Sequence, residues 1–164
     1  MAQEIIVCNT TPLIALAWLK QLDLLPILFG TVYIPQAVFD ELNYNPEKIG
    51  VIELSQVEWL RIVTVSNKLA VELLSSELDA GESEAIVLAH EMKARLLLID
   101  ERRGRRRATE GGLVVTGTLG ILIEARKRGI IGPLRPILDD LQELPFRMSR
   151  NLYEQTLNLV GEEY

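Results

Sequence analysis

The chain has 164 residues, 48% apolar and 24% charged, which is the make-up of one globular domain; aromatics supply only 5%, so aliphatic side chains must carry the core. This composition excludes a disordered chain, and the single cysteine, Cys8, excludes an internal disulfide. The net charge of -6 speaks against a broadly basic nucleic-acid surface, but five of the 17 basic residues stand together as Arg102, Arg103, Arg105, Arg106 and Arg107.

In chain order, Ile5–Cys8 reads as a short strand ending at Asn9, with Thr11 as a helix N-cap and Pro12 in the first helical position. Cys8 within this run reads as a small buried hydrophobe. Helical stretches follow at Leu13–Leu19 and Leu22–Leu28, the former far too short to span a bilayer. With no basic, apolar leader at the start, a cytoplasmic protein without membrane attachment is expected. Val32–Ile34 is extended, and Pro35 is expected to open a helix ending near Leu42, with Asp40 and Glu41 at its polar end.

Residues 43–56 are hard to read beyond a turn at Asn45-Pro46. Trp59–Val65 alternates as an outer strand should, and helices are expected at Asn67–Ser76 and Ala80–Lys93. Leu96–Ile99 is a continuous apolar run of the kind buried on both faces, and Asp100 ends it. The arginine run, a short buried strand at Leu113–Val115, a turn at Thr116-Gly117-Thr118 and a helix Leu119–Arg128 come next. Two further helices, near Pro133–Leu141 and Ser149–Val160, complete the chain. Strands alternating with helices predict a three-layer α/β/α domain whose ligand site lies beyond the carboxyl ends of parallel strands.

Asn9, Glu41, Glu84 and Asp100 each stand at the end of an apolar segment, and a parallel sheet would gather such positions into one pocket of oxygen donors suited to a hard divalent cation. Asp100 is the strongest of them, although Asp also makes a good helix cap. Glu41 taken alone is an ordinary solvated charge, and Asn9 suits a cap as well as a cation. Glu82, three residues after Asp79, fits a capping box, which leaves Glu84 as the better ligand. The arginines suit either an RNA backbone or a solvated helix. His90 reads as structural, no Ser-His-Asp or Cys-His set assembles, and Gly117–Gly120 is too weak for a nucleotide loop.

Taken in order, NTTPLIALA, the Pro35 helix ending in DEL, LDAGESEAIVLA and LLLIDERRGRR resemble the PIN-domain superfamily of metal-dependent nucleases. More narrowly they resemble a prokaryotic PIN-like group of unassigned function, related to the toxin ribonucleases of toxin-antitoxin pairs. The tail, FRMSRNLYEQTLNL, resembles the same group. The resemblance implies a single PIN-like domain over residues 1–164 with a parallel sheet of about five strands, and residues 133–164 as a helical extension packed on it.

It further implies hydrolysis of RNA phosphodiesters with Mg²⁺ or Mn²⁺. Asn9, Glu41, Glu84 and Asp100 then take the four acidic positions as catalytic and metal-binding residues, with Thr11 supporting and Arg102, Arg103, Arg105, Arg106 and Arg107 on the RNA backbone. A homodimer and a cognate antitoxin protein are the implied partners. Asn9 departs from the family's Asp and removes one negative charge, so one resident metal is expected. The alternative is a catalytically weak or inactive RNA- or protein-binding module.

Overall fold

The computed structural model describes residues 4–44, 57–146 and 148–162. Five short strands, β1 (Ile6–Cys8), β2 (Val32–Pro35), β3 (Leu60–Val63), β4 (Leu96–Leu98) and β5 (Val115–Thr116), pair in parallel in the order β3-β2-β1-β4-β5. Nine helices connect and flank them among the described residues: α1 (Thr10–Trp18), α2 (Leu24–Phe29), α3 (Gln36–Tyr44), α4 (Lys68–Leu74), α5 (Ala80–Glu91), α6 (Arg102–Glu110), α7 (Thr118–Lys127), α8 (Arg135–Gln142) and α9 (Arg150–Leu159). The expected three-layer α/β/α architecture is the one observed. None of the helices is long and apolar enough to cross a membrane.

Alternation along the central strands divides the core in two, because successive side chains leave a strand on opposite faces. Ile6, Cys8 and Leu98 pack on one side with Leu13 and Leu16 of α1 and Ile121 and Leu122 of α7. Val7, Leu97 and Ile99 pack on the other with Ala85, Leu88 and Ala89 of α5 and Ala108 of α6. All three residues of β1 are fully buried, which requires a sheet covered on both faces. Leu134, Leu138, Leu141, Tyr153 and Leu157 of the tail join the first of these clusters. Glu162 holds the tail down, accepting from the N–H groups of Leu134 (2.7 Å) and Arg135 (3.2 Å) and from Arg126 Nε (3.4 Å).

From β1 the chain steps outward through β2 to β3, then returns through α5 to place β4 on the other side of β1. This reversal opens the crevice at the carboxyl ends of β1 and β4, where ligands of open α/β sheets bind.

Three local expectations need correction. Helix α1 starts at Thr10 with Asn9 in the N-cap position, not Thr11, and the Asn9 side chain makes no capping bond. Pro12 is still tolerated, since the first N–H groups of a helix have no intrahelical partner. Pro35 closes β2 instead of opening α3. The last strand is not a buried Leu113–Val115: pairing Leu97 with Val115 and Leu98 with Thr116 makes β5 an edge strand and leaves Val114 64% exposed. The turn expected at Asn45-Pro46 lies outside the described residues.

Candidate active site

At the end of β1, the Asn9 N–H bonds to Leu98 O at 2.8 Å, which extends the β1·β4 ladder and brings the Asn9 side chain to the sheet's carboxyl edge. The residue is 2% exposed. Its amide Nδ2 donates to Glu101 Oε2 at 3.3 Å, and the hydroxyl of Thr11 donates to the other Glu101 oxygen. Asn9 Oδ1 is buried with no hydrogen-bond partner, an arrangement that is uncommon unless something is meant to fill it.

From α3, Glu41 reaches the same place, with its Oε2 accepting from the Thr10 hydroxyl at 2.8 Å. Gly81, in the first turn of α5, lies beneath them. A Cβ there would stand 3.1 Å from Glu41 Oε2 and 3.4 Å from both Asn9 Oδ1 and Thr10 Oγ1. A carboxylate, an amide and a hydroxyl oxygen thus surround one point over a residue that has no side chain.

Beyond Gly81 the two glutamates of α5 diverge. The Asp79 carboxylate caps the helix by accepting from Glu82 N at 2.8 Å, so half of the expected capping box forms. The Glu82 side chain turns under α6, where a Cβ on Gly104 would lie only 2.7 Å from its Oε2. Burial, the hydrogen-bonded Asp79 carboxylate and the charge of Glu101 push Glu82 up to about 7. Glu84 Oε1 instead accepts from Ala37 N at 3.1 Å and so satisfies the start of α3.

Asp100 follows Ile99 at the end of β4 and is tied to α7. Its Oδ1 accepts from Thr118 N and its Oδ2 from the Thr118 hydroxyl, both at 2.7 Å. The capping role considered for Asp100 is therefore real, but it serves α7, while Glu101 takes the N-cap position of α6. Burial raises the Asp100 carboxyl above its ordinary range, the Thr118 bonds pull it part of the way back, and Glu101 and Arg105 act in opposite directions. Gly117 is required here, because a Cβ on it would sit 2.5 Å from Asp100 Oδ1 and 3.3 Å from Ile99 O.

The arginine run forms α6, with Gly104 and Ala108 buried, and its cations part into two groups. Arg106 and Arg107 pair with Glu110, Arg107 also with Glu77, and Arg103 bonds to Glu77 O, all away from the acidic edge. Arg102 and Arg105 line a cleft of about 830 Å³ together with Thr11, Asp100 and Glu101. The side chains named from sequence thus separate. Asn9, Glu41 and Thr11 meet at the edge, Asp100 borders it, Glu84 is engaged with α3, and two of the five arginines face the cleft.

Among the described residues no three His, Cys, Asp or Glu side chains stand close enough together to hold a metal ion. The donor set over Gly81 nevertheless fits one: its oxygens are hard, Asn9 Oδ1 lacks a partner, and Mg²⁺ needs only one or two carboxylates, with water and substrate phosphate completing its shell.

Sequence reasoning passed over Thr10, Glu101, Gly81 and Gly104, and set Glu82 aside. The glycine spacing carried a signal. Gly81, Gly104 and Gly117 each open a segment at the sheet's carboxyl edge, and each lacks a Cβ where a carboxylate comes close. Glu101 gave none, since adjacent acids after a strand look alike until one is bonded elsewhere.

No curated protein matches the chain. A family model described as a PIN domain matches residues 5–162, from β1 through α9. With nearly the whole length matched and a five-stranded parallel sheet gathering polar groups at its carboxyl edge, the chain belongs to the PIN-domain family.

Proposed function

We propose that this protein is a Mg²⁺- or Mn²⁺-dependent endoribonuclease. The family is nuclease-type, and its members generally use divalent metal ions. The observation that carries the reading is the partnerless Asn9 Oδ1, facing the same point as Glu41 Oε2 and Thr10 Oγ1.

Asn9, Glu41 and Glu101 would hold the cation directly or through water, with Asp100 beside them. Once bound, the cation would offset charge on the scissile phosphate and acidify a water. The residues themselves do the rest. Thr10 and Thr11 fix the orientations of Glu41 and Glu101 through their hydroxyls. Arg102 and Arg105 supply the positive charge that a polyphosphate backbone needs along the cleft. Glu82 titrates near neutral pH and so sets the net charge of the edge through the proton it holds. Glu84, whose Oε1 accepts from Ala37 N, stands outside this ligand set.

The test is cleavage of a labelled, mixed-sequence single-stranded RNA with Mn²⁺ or Mg²⁺. Cleavage should disappear in EDTA and in Glu41→Gln, and activity that survives both would end the metal-nuclease reading.

The Asn9-to-Glu101 hydrogen bond favours a second reading, a binding module without turnover, because it lets the edge rest without any cation. In that case the parent would bind RNA but not cut it, and Asn9→Asp would gain metal-dependent cleavage. The toxin role, its antitoxin and a homodimer are proposals carried by the family resemblance; light scattering of the purified protein tests the last of them.

A further inference from the structure

The apolar part of the cleft plays no role in the chemistry above. The cleft that holds Asp100, Glu101, Arg102 and Arg105 is also lined by Leu119, Pro145, Phe146 and Leu152. A second cleft of about 660 Å³ continues from it along Met148 and Ser149, and the two share Arg102, Phe146 and Leu152. Phe146 is the aromatic side chain of both clefts. It is partly buried against the main core and so is held from behind.

Cationic, apolar and acidic side chains therefore line a single opening. A phosphodiester chain needs the cations, and an unpaired base needs a flat apolar partner. Both clefts fall within the range of about 300–1,000 Å³ typical of sites that enclose a small organic ligand. We infer that Phe146, with Leu152 beside it in both clefts, forms a nucleobase subsite, in which Phe146 stacks on an unpaired base while Arg102 holds the adjoining phosphate. The subsite adds a base contact to the nuclease reading on which it rests.

Stacking carries no base preference of its own, since a flat apolar platform accepts every base. A base-paired strand, whose bases are already stacked within the duplex, would gain nothing from Phe146. The chemistry distinguishes the substrate by strand state.

Binding is measured in EDTA, so that no cleavage is needed, by fluorescence anisotropy of a short labelled single-stranded RNA. The same series is run with an oligomer carrying abasic sites and with a hairpin duplex. Phe146→Ala should weaken single-strand binding about tenfold and Phe146→Trp should restore it, the scale set by base stacking on an aromatic ring. The parent should bind the abasic oligomer as weakly as Phe146→Ala binds the intact one, a comparison that does not depend on how Phe146→Ala folds.

Equal binding of intact and abasic RNA by the parent would overturn the subsite, and would be the result for a cleft built to take a protein segment. Loss of binding to both oligomers alike in Phe146→Ala would also overturn it. Failure of the nuclease reading looks different: RNA stays bound with full dependence on Phe146, but is never cut.

Discussion

Asn9→Asp tests how the acidic edge is balanced without metal. In the parent, Nδ2 donates to Glu101 Oε2 at 3.3 Å in a setting where Asn9 is 2% exposed. The substitution removes the donor and sets a second carboxylate against the first. Two unit charges at that distance repel by about 5 kcal/mol at an effective dielectric of about 20. One carboxyl can take a proton instead, which at pH 7 costs about 4 kcal/mol for a group that ordinarily titrates near pH 4.

The cheaper route sets the penalty, so Asn9→Asp should lose up to about 4 kcal/mol in EDTA at pH 7, a fall in Tm on the order of 10 °C. The shared proton raises the folded-state pKa of the pair above its unfolded value. The penalty should therefore shrink by about 1.4 kcal/mol for each pH unit below 7. Mn²⁺ should restore more stability to the variant than to the parent, because a cation replaces the missing hydrogen bond. Thermal unfolding from pH 5 to 8, with EDTA and with Mn²⁺, measures all three effects. A variant as stable as the parent in EDTA, with no added response to Mn²⁺, would refute the reasoning.

Other expectations follow from the same geometry. Glu84→Gln keeps an oxygen for Ala37 N and should leave metal-dependent cleavage within a few fold of the parent, whereas Glu41→Gln abolishes it; a matched loss in a cleavage assay would return Glu84 to the ligand set. Gly117→Ala places a Cβ against Asp100 and the backbone of Ile99, so it should destabilise by about 1–3 kcal/mol in urea unfolding, as overpacking does. With its folded pKa raised to about 7, Glu82 keeps a proton that the unfolded chain releases from about pH 4.5 upward, so stability in EDTA should decline between those values and level off above. Glu82→Gln should remove that decline, and an unchanged pH profile would mean that Glu82 is not the titrating group.

The strands were legible because short continuous apolar runs such as Ile5–Cys8 and Leu96–Ile99, bounded by polar turns, suit a sheet covered on both faces, and sheet order then brings Asn9 and Asp100 to one edge. Periodicity does not say where a carboxylate reaches. Glu82 and Glu84 share one short segment, and only the position of α3 sends Glu84 to Ala37 N while Gly104 leaves room for Glu82. Asp100 and Glu101 are neighbours whose tasks are divided by Thr118 on one side and Asn9 and Thr11 on the other. Thr11 looked like a cap because Thr-Pro usually begins a helix, but the β1·β4 ladder carries on to Asn9 and the helix starts two residues earlier. The five arginines were correctly seen as a cluster, but their division between Glu77, Glu110 and the cleft depends on the turn of α6 against α5.

Glu162 ties Leu134 and Arg135, just before and at the start of α8, to a point just past α9 and to Arg126 of α7. The two jaws of the cleft thus come from distant parts of the chain: the acidic jaw is built on the buried central strands, and the apolar jaw is carried by α8 and α9, whose Leu138, Leu141, Tyr153 and Leu157 are buried in the main core. Glu162 only adds a fastening at the outer ends of that pair. Amide exchange should accordingly be slow in the buried turns of α8 and α9 as well as along β1 and β4. Two walls that are each set in the core would give a long polymer a preformed furrow open along its length, which it enters from the side with no need to thread an end.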